Sequence, residues 1–173
     1  MSLIIEEAKP IDFQHIVDYF LNSSDEFLTG MGVDVNKLPK KERWVKKLSD
    51  DYKKTLENRQ FFYVLWKHAN HVVGHSNLSD IKYGKEAKMH LHIWDVEKRA
   101  KGIGIQFLKQ TLPLYFDKFQ LKKLICEPMA TNDAPKKLLL KTGFKYIKTY
   151  AAIPGWINFH QEIDRYELTV ETF

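Results

Sequence analysis

A change of hydrophobic period across a pair of glycines constrains this chain most. From Met89 to Trp94 the residues are apolar, aromatic or imidazole, with no glycine or proline, and this reads as a strand. From Ile105 to Phe119 apolar residues stand at 105, 108, 112, 115, 116 and 119, the spacing of a helix. Between them lie Lys98, Arg99 and Lys101, then Gly102-Ile103-Gly104. Side chains alternate along a strand, so Met89, Leu91 and Ile93 share a core face while Lys88, His90, His92 and Trp94 share the other. Two imidazoles and an indole on one face are an odd surface for burial alone. The glycines let the backbone bend and approach a ligand closely. A helix starting there turns unpaired N–H groups and a positive dipole end outward. Three cations beside it make a pyrophosphate site, the alternative being an ordinary strand-to-helix turn with solvated lysines.

The 173 residues suit one domain, 1–173, with 44% hydrophobic and 28% charged residues, the balance of a globular protein. No apolar run approaches the roughly 20 residues of a membrane helix, so no membrane partner is expected. The start, Met1-Ser2-Leu3-Ile4-Ile5-Glu6-Glu7, has acids where a signal peptide carries cations. Cys126 is the single cysteine, which excludes an intrachain disulfide; a cytoplasmic protein is the expectation. The net charge of +5 includes lysine pairs at 40-41, 46-47, 53-54, 122-123 and 136-137. Acids interrupt the first three and no reading motif accompanies them, so no nucleic-acid partner is expected.

Leu3–Glu7 reads as a strand and Asp12–Asn22 as a helix, with Phe13, Ile16, Val17 and Phe20 on one face. Residues 23–39 read as loop around Thr29-Gly30-Met31-Gly32, where the glycines give either mobility or a plain turn. A second helix spans 40–59. Phe61–Trp66, Val72–Leu78 and 88–94 form an antiparallel meander, with a tight turn at Ala69-Asn70. After the 105–119 helix, which Pro113 is expected to kink or divide, come a strand at 122–127, a helix from Asn132 to Lys141 and strands at 144–150 and 160–170. The fold class is a mixed α/β (α+β) sheet: an antiparallel meander, then β-α-β-α-β.

Arg99-Ala100-Lys101-Gly102-Ile103-Gly104 resembles the Arg/Gln-x-x-Gly-x-Gly/Ala signature of the GNAT superfamily of N-acetyltransferases. Asn132-Asp133-Ala134 followed by Leu138-Leu139-Leu140-Lys141-Thr142-Gly143-Phe144 resembles that family's second motif, with Ala134 one place early. The pattern is most similar to the ribosomal-protein N-terminal acetyltransferase (RimJ/RimL-like) branch. The resemblance implies a GNAT-like acyl-CoA N-acyltransferase fold with splayed central strands, here 88–94 and 122–127, and acetyl-CoA as co-substrate between them. It implies acetyl transfer to a primary amine by direct attack in a ternary complex, or, as the alternative, a non-catalytic acyl-CoA-binding module. The cofactor contacts it implies are Ile93, Trp94, Arg99, Ala100, Lys101, Gly102, Ile103, Gly104, Ile105, Asn132 and Lys136. Asn132 would face the cofactor arm, or simply cap its helix; Lys136 and Lys137 would reach the phosphates, or simply be solvated. The first helix–loop–helix would wall the acceptor site.

An amine attacks a thioester only when deprotonated, and the oxyanion must be held as it forms. Backbone N–H groups near Ile93 and Trp94 are the expected donors. His92, nearer the expected thioester, and His90 are the expected bases, with an intrinsic pKa of about 6.5; the alternative is that both merely pack. Where many relatives carry a thiolate-protonating tyrosine stands Leu139, and where the RimJ/RimL-like branch often has serine stands Pro135. The proton donor is open among Tyr146, Tyr150 and water. A dinucleotide loop would need glycine at 107, where Phe107 stands. His90-x-His92, with His68, His71 and His75 upstream, could chelate, but no ligand spacing completes a site and no metal is expected. Cys126 reads as a buried strand thiol. The partner is a small-molecule or peptide amine, with peptide N-terminus, polyamine, amino sugar and antibiotic all open. Asp25, Glu26 and Asp34 could draw a cation. The chain is expected to be a monomer or homodimer.

Overall fold

Seven strands form one sheet in the order β1-β2-β3-β4-β5-β7-β6, in a computed structural model describing residues 3–94 and 102–173. They are β1 (Leu3–Glu7), β2 (Phe62–His68), β3 (His71–Lys82), β4 (Glu86–Ile93), β5 (Lys123–Cys126), β6 (Lys145–Ala152) and β7 (Gln161–Thr169). The helices are α1 (Phe13–Leu21), α2 (Asp25–Gly30), α3 (Lys41–Tyr52), α4 (Ile103–Phe119) and α5 (Ala134–Lys141). The meander turns tightly at Ala69 and Asn70, both with positive φ (48° and 65°), as a two-residue hairpin whose twist matches its strands requires.

Every strand pair is antiparallel except β4–β5. That parallel ladder holds only Glu86–Lys123, Ala87–Leu124 and Lys88–Ile125, while β4 runs on to Ile93. The two central strands therefore part, and a mixed sheet with splayed middle strands is the observed architecture.

Both faces of the sheet are covered, so β2 is buried through five successive residues, as a sheet packed on two sides demands. On one face α4 lays Phe107, Leu108, Leu112, Tyr115 and Phe119 against Val64, Trp66, Leu78 and Met89. Trp66 stacks on Phe107 at 5.1 Å and donates from Nε1 to Thr111 Oγ1 at 3.1 Å. On the other face, α1 (Phe13, Ile16, Val17, Phe20) and α3 (Trp44, Leu48) pack on Tyr63 and Leu65.

The helices depart from the sequence reading in four places. Residues 23–39 hold α2, opened by Ser24 accepting from the Phe27 N–H at 3.2 Å, and a 3-10 turn at Val35–Lys37. α4 begins at Ile103, and Pro113 lies inside it without dividing it. α5 begins at Ala134, not Asn132. The 40–59 helix ends at Tyr52 and is followed by a 3-10 turn at Leu56–Asn58. Asp51 explains that stop. It is 4% exposed, and its carboxylate accepts the N–H groups of Gln60 (3.0 Å) and Phe61 (2.9 Å) and the Lys54 ammonium (2.9 Å). The chain is thus drawn back to start β2 against α3.

Removing that acceptor strands two backbone donors, each worth about 1–3 kcal/mol when buried and unpaired. Asp51→Ala is expected to lower unfolding free energy in urea by about 3 kcal/mol. Asp51→Asn, which keeps one acceptor oxygen, should lose less, and equal losses would contradict this account.

Candidate active-site cleft

A cleft with a volume of about 150 Å³ opens where β4 leaves β5, on the face covered by α1 and α3. Its floor is β4, with His90, Leu91 and His92; its far side is Glu127, Pro128 and Asn132 beyond β5; its walls include Phe20 and Trp44. The rim is tied rather than loose. Gly32, at φ +81°, turns its carbonyl to Asn158 Nδ2 and Gln161 Nε2, both at 2.9 Å, and the Asp34 N–H reaches Ile157 O at 2.8 Å. Of the two readings of Gly30 and Gly32, the geometry supports the turn. Asp25 and Glu26 are exposed on α2 and Asp34 caps the 3-10 turn; none lines the cleft.

Register sets the imidazoles. β3 places His75 opposite His92 and Asn77 opposite His90. His75 and His92 stack at 4.8 Å, and Trp94 Nε1 donates to His75 Nδ1 at 2.8 Å. Neutral His75 therefore carries its proton on Nε2, which is buried without a hydrogen-bond partner among the described residues. Burial first, then His92 and His90, hold His75 well below the ordinary histidine value. Burial, reinforced by Lys88 and opposed by Asp80 and Glu127, pushes His90 down to about 4. Ser79 Oγ sits 2.8 Å from His90 Nε2, and Tyr19 Oη 3.5 Å from His92 Nδ1. Beneath them Tyr115 Oη donates to Ser76 Oγ (2.9 Å), which donates to the His90 carbonyl (2.8 Å), pinning β4 to α4.

The backbone accounting corrects one expectation. The Trp94 N–H is not open to the cleft: it donates to Val73 O at 2.8 Å. Ladder bonds alternate in an antiparallel pair, so residues 90, 92 and 94 spend their backbone groups on β3 while 89, 91 and 93 face the β5 side. The β5 ladder ends at Lys88, which leaves Leu91 on that side with no opposite residue and its backbone turned to the cleft.

Gly102, at φ +74°, precedes the first turn of α4, which contains no acidic residue. Gly104 has a packing role. A Cβ there would meet Leu138 Cδ1 at 2.8 Å and Ile93 Cδ1 at 3.4 Å, so the missing side chain lets α4, α5 and the end of β4 converge. Ile103 is buried, and the half-buried Ile105 donates its N–H to Gly102 O at 3.2 Å. Asn132 lines the cleft, but the residue before α5 is Asp133 and no side chain caps that helix. Lys136 is not available to a phosphate: its ammonium binds Ala130 O (2.5 Å), Asp164 (2.8 Å) and Asp133 (3.1 Å). Lys137 is exposed. Arg99, Ala100 and Lys101 lie outside the described residues.

Sequence reasoning missed Glu127. Its side chain is 4% exposed and accepts from the Tyr150 hydroxyl and from Arg165 Nη1 at 3.0 Å, with Lys88 Nζ at 3.3 Å. Burial would raise its pKa, but Tyr150, Lys88 and Arg165 together hold it below the usual value. An acid one residue past a strand gives no sign of partners 39 and 38 positions away. Burial pushes the Cys126 thiol up to about 12, so it stays protonated. Among the described residues no three His, Cys, Asp or Glu side chains gather as metal ligands, and no helix is long and apolar enough to cross a membrane.

Residues 2–145 match the family model described as an acetyltransferase (GNAT) domain. No curated protein matches the chain by sequence. Among solved structures, the ribosomal-protein-S5-alanine acetyltransferase from Vibrio fischeri superposes with a TM-score of 0.77 at 17% identity, over 98% of this chain and 93% of that one. RimL, the ribosomal L7/L12 α-N-protein acetyltransferase, in complex with coenzyme A, gives 0.77 at 14%, over 100% and 97%. The aminoglycoside acetyltransferase AAC(6')-Ib with coenzyme A gives 0.73 at 11%, over 99% and 97%. At such identities the likeness to these structures is one of fold.

His75 and His90 are held neutral in the fold and protonate more readily once unfolded. Stability from that source is complete above about pH 6.5, the unfolded value, and is lost as pH falls toward about 4. The melting temperature is expected to drop on going from about pH 7.5 to 5, and to drop less in His90→Gln. An unchanged drop in the variant would show that His90 is not held neutral.

Proposed function

The chain belongs to the GNAT acetyltransferase family, and from that premise we propose that it moves the acetyl group of acetyl-CoA to a primary amine by direct attack in a ternary complex. The observation that carries the reading is the early end of the β4–β5 ladder. It leaves a slot between two parallel strands, and Gly104 in the first turn of α4 lies against Ile93 at the end of β4. Acetyl-CoA fits this arrangement as co-substrate. Its extended arm would lie in the slot and take backbone hydrogen bonds from the β5 side of β4. Its pyrophosphate would meet the acid-free N-terminus of α4 beside Gly102.

In this reading Leu91, rather than Trp94, offers the N–H that steadies the developing oxyanion. His92 takes the ammonium proton. His90, held down at about 4, is too weak a base to compete. Glu127 is ionised, but its oxygens are engaged by Tyr150, Arg165 and Lys88. For the departing thiolate, Tyr150 spends its proton on Glu127, and Tyr146 is exposed and bonded to Thr149, so water is the proposed donor. The neighbours named for ribosomal proteins and for aminoglycosides have amine acceptors, and the same acceptor chemistry is proposed here. The proposal takes 1–173 as one such domain acting in the cytoplasm, as monomer or homodimer. It includes no nucleic-acid partner.

His92→Ala is expected to lower kcat by about 10²- to 10³-fold with acetyl-CoA affinity little changed, and to remove the acidic limb of the pH–rate profile. His90→Gln should leave the shape of that profile intact between roughly pH 5.5 and 8. A profile unchanged in His92→Ala would remove its role as base.

A valine at 102 would be strained at φ +74° and would project its Cβ into the space in front of α4. Gly102→Val should weaken acetyl-CoA binding at least about tenfold by calorimetry. Retained affinity would contradict the phosphate site. Thiol release with an amine panel separates a catalyst from a silent acyl-CoA binder.

A further inference from the structure

We propose that the cleft selects a primary amine whose body is apolar or aromatic, whose amine is its one charge, and which carries a carbonyl or hydroxyl oxygen to accept a hydrogen bond from Trp44 Nε1. The inference rests on the acetyltransferase reading above and names the class of acceptor.

Charge is the first ground. Glu127 is the one carboxylate among the described residues of the lining. It is already matched by two cations, Lys88 and Arg165, and its hydrogen-bonding capacity is further taken by Tyr150. His90 adds no charge at neutral pH, being held at about 4. A polycation entering this cleft would shed water from several charges and find no counter-charge for them. The net charge of +5 adds a weak repulsion at long range.

Shape and polarity are the second. Phe20, Trp44, Phe61, Tyr63 and Trp156 face the same space, so the body of the acceptor is met chiefly by rings. Trp156 is braced edge-on by Trp44 at 5.5 Å, and the Lys47 ammonium lies 3.9 Å from the centre of its ring. Such walls recover their full value only by burying apolar surface.

The third ground is an unspent donor. Trp44 is 2% exposed, lines the cleft, and has an indole N–H with no partner among the described residues. Buried donors are nearly always paired, because an unmade bond leaves the desolvation of the donor uncompensated. A ligand oxygen would settle that deficit, and an amine lacking one would not. The position is close to the chemistry. The ring of Phe20 lies 5.1 Å from that of His92 and 5.3 Å from that of Trp44, so one ring touches both the proposed base and the indole.

The test uses the full chain with acetyl-CoA and four amines: phenylalaninamide, 2-phenylethylamine, spermidine and kanamycin. Acetyl-CoA binding is read by calorimetry and turnover by release of free thiol. Phenylalaninamide is expected to exceed spermidine, kanamycin and 2-phenylethylamine by at least about tenfold in kcat/KM. In Trp44→Phe, the ratio of phenylalaninamide to 2-phenylethylamine should fall by about tenfold. Comparing that ratio across the two proteins cancels the different basicities of the amines and any loss of folded protein. An unchanged ratio in Trp44→Phe, a preference for spermidine or kanamycin, or no turnover of phenylalaninamide by a protein that acetylates another of the amines would each overturn the inference alone. Failure to bind acetyl-CoA, or binding with no thiol release from any of the four amines, would overturn the acetyltransferase reading as well.

Discussion

Three paired residues decide the rest of the molecule. A backbone N–H or carbonyl taken out of water must find a partner, and strands ordinarily find one in each other. β4 does so fully on its β3 side, through Trp94 and Val73 at the far end, but its β5 side is paired only as far as Lys88. Beyond that point the sheet cannot close, because β5 stops at Cys126 and the chain turns away into Glu127, Pro128 and Asn132. What is left is a rigid strand with one finished edge and one unfinished edge. β3 and the Tyr115–Ser76–His90 relay hold β4 along that edge.

The two sides of β4 divide the labour. On the α4 side Met89 is fully buried and Leu91 and Ile93 pack on the helix layer, and Gly104 lets that layer approach closely enough to meet Ile93 and Leu138. On the α1 side the same strand presents His92 to rings from Tyr19, Phe20 and His75. An imidazole stacked on another at 4.8 Å is tolerable only if both are not charged together, and burial keeps His75 neutral. His75 thus supplies a flat, uncharged backing for His92. The Trp94 indole fixes which nitrogen of His75 holds the proton.

The sheet was legible in the sequence because its strands are long, β-branched or aromatic, and alternate; the Met89–Trp94 face assignment came out of that period alone. The splay was legible only through the resemblance, since nothing in residues 86–93 or 123–126 says where their pairing stops. α2 is six residues long, too short for a helical period to show, and its signal was the cap Ser24 followed by Asp25 and Glu26. Pro113 does not divide α4 because its missing N–H costs one bond in a helix that keeps a long buried face on the sheet. Lys136 read as a phosphate ligand by nearness to a motif, yet Asp164, 28 positions on, claims it. Glu127 stood only as the end of a strand, and Trp44 as one residue of a helix face. What gives each its interest, a carboxylate already neutralised and a donor left over, is decided by residues far away in the chain.

Side chains also limit how far the strands part. Lys88 is the last residue of β4 in the parallel ladder, and its ammonium spans to Glu127, the first residue after β5. Glu127 is held in turn by Arg165 on β7 and Tyr150 on β6, and Arg165 by Glu167, which also meets Lys123 on β5. A chain of alternating charges therefore runs across β4, β5 and β7, with the neutral Tyr150 hydroxyl of β6 bonded to it, where the backbone bonds between β4 and β5 stop. Such an arrangement is costly to break: removing one member of a buried pair leaves the other uncompensated, at about 3–5 kcal/mol. It gives little stability relative to an apolar substitute, so its value lies in position. It ties the last paired residue of β4 to the first residue beyond β5, at the point where the two strands separate.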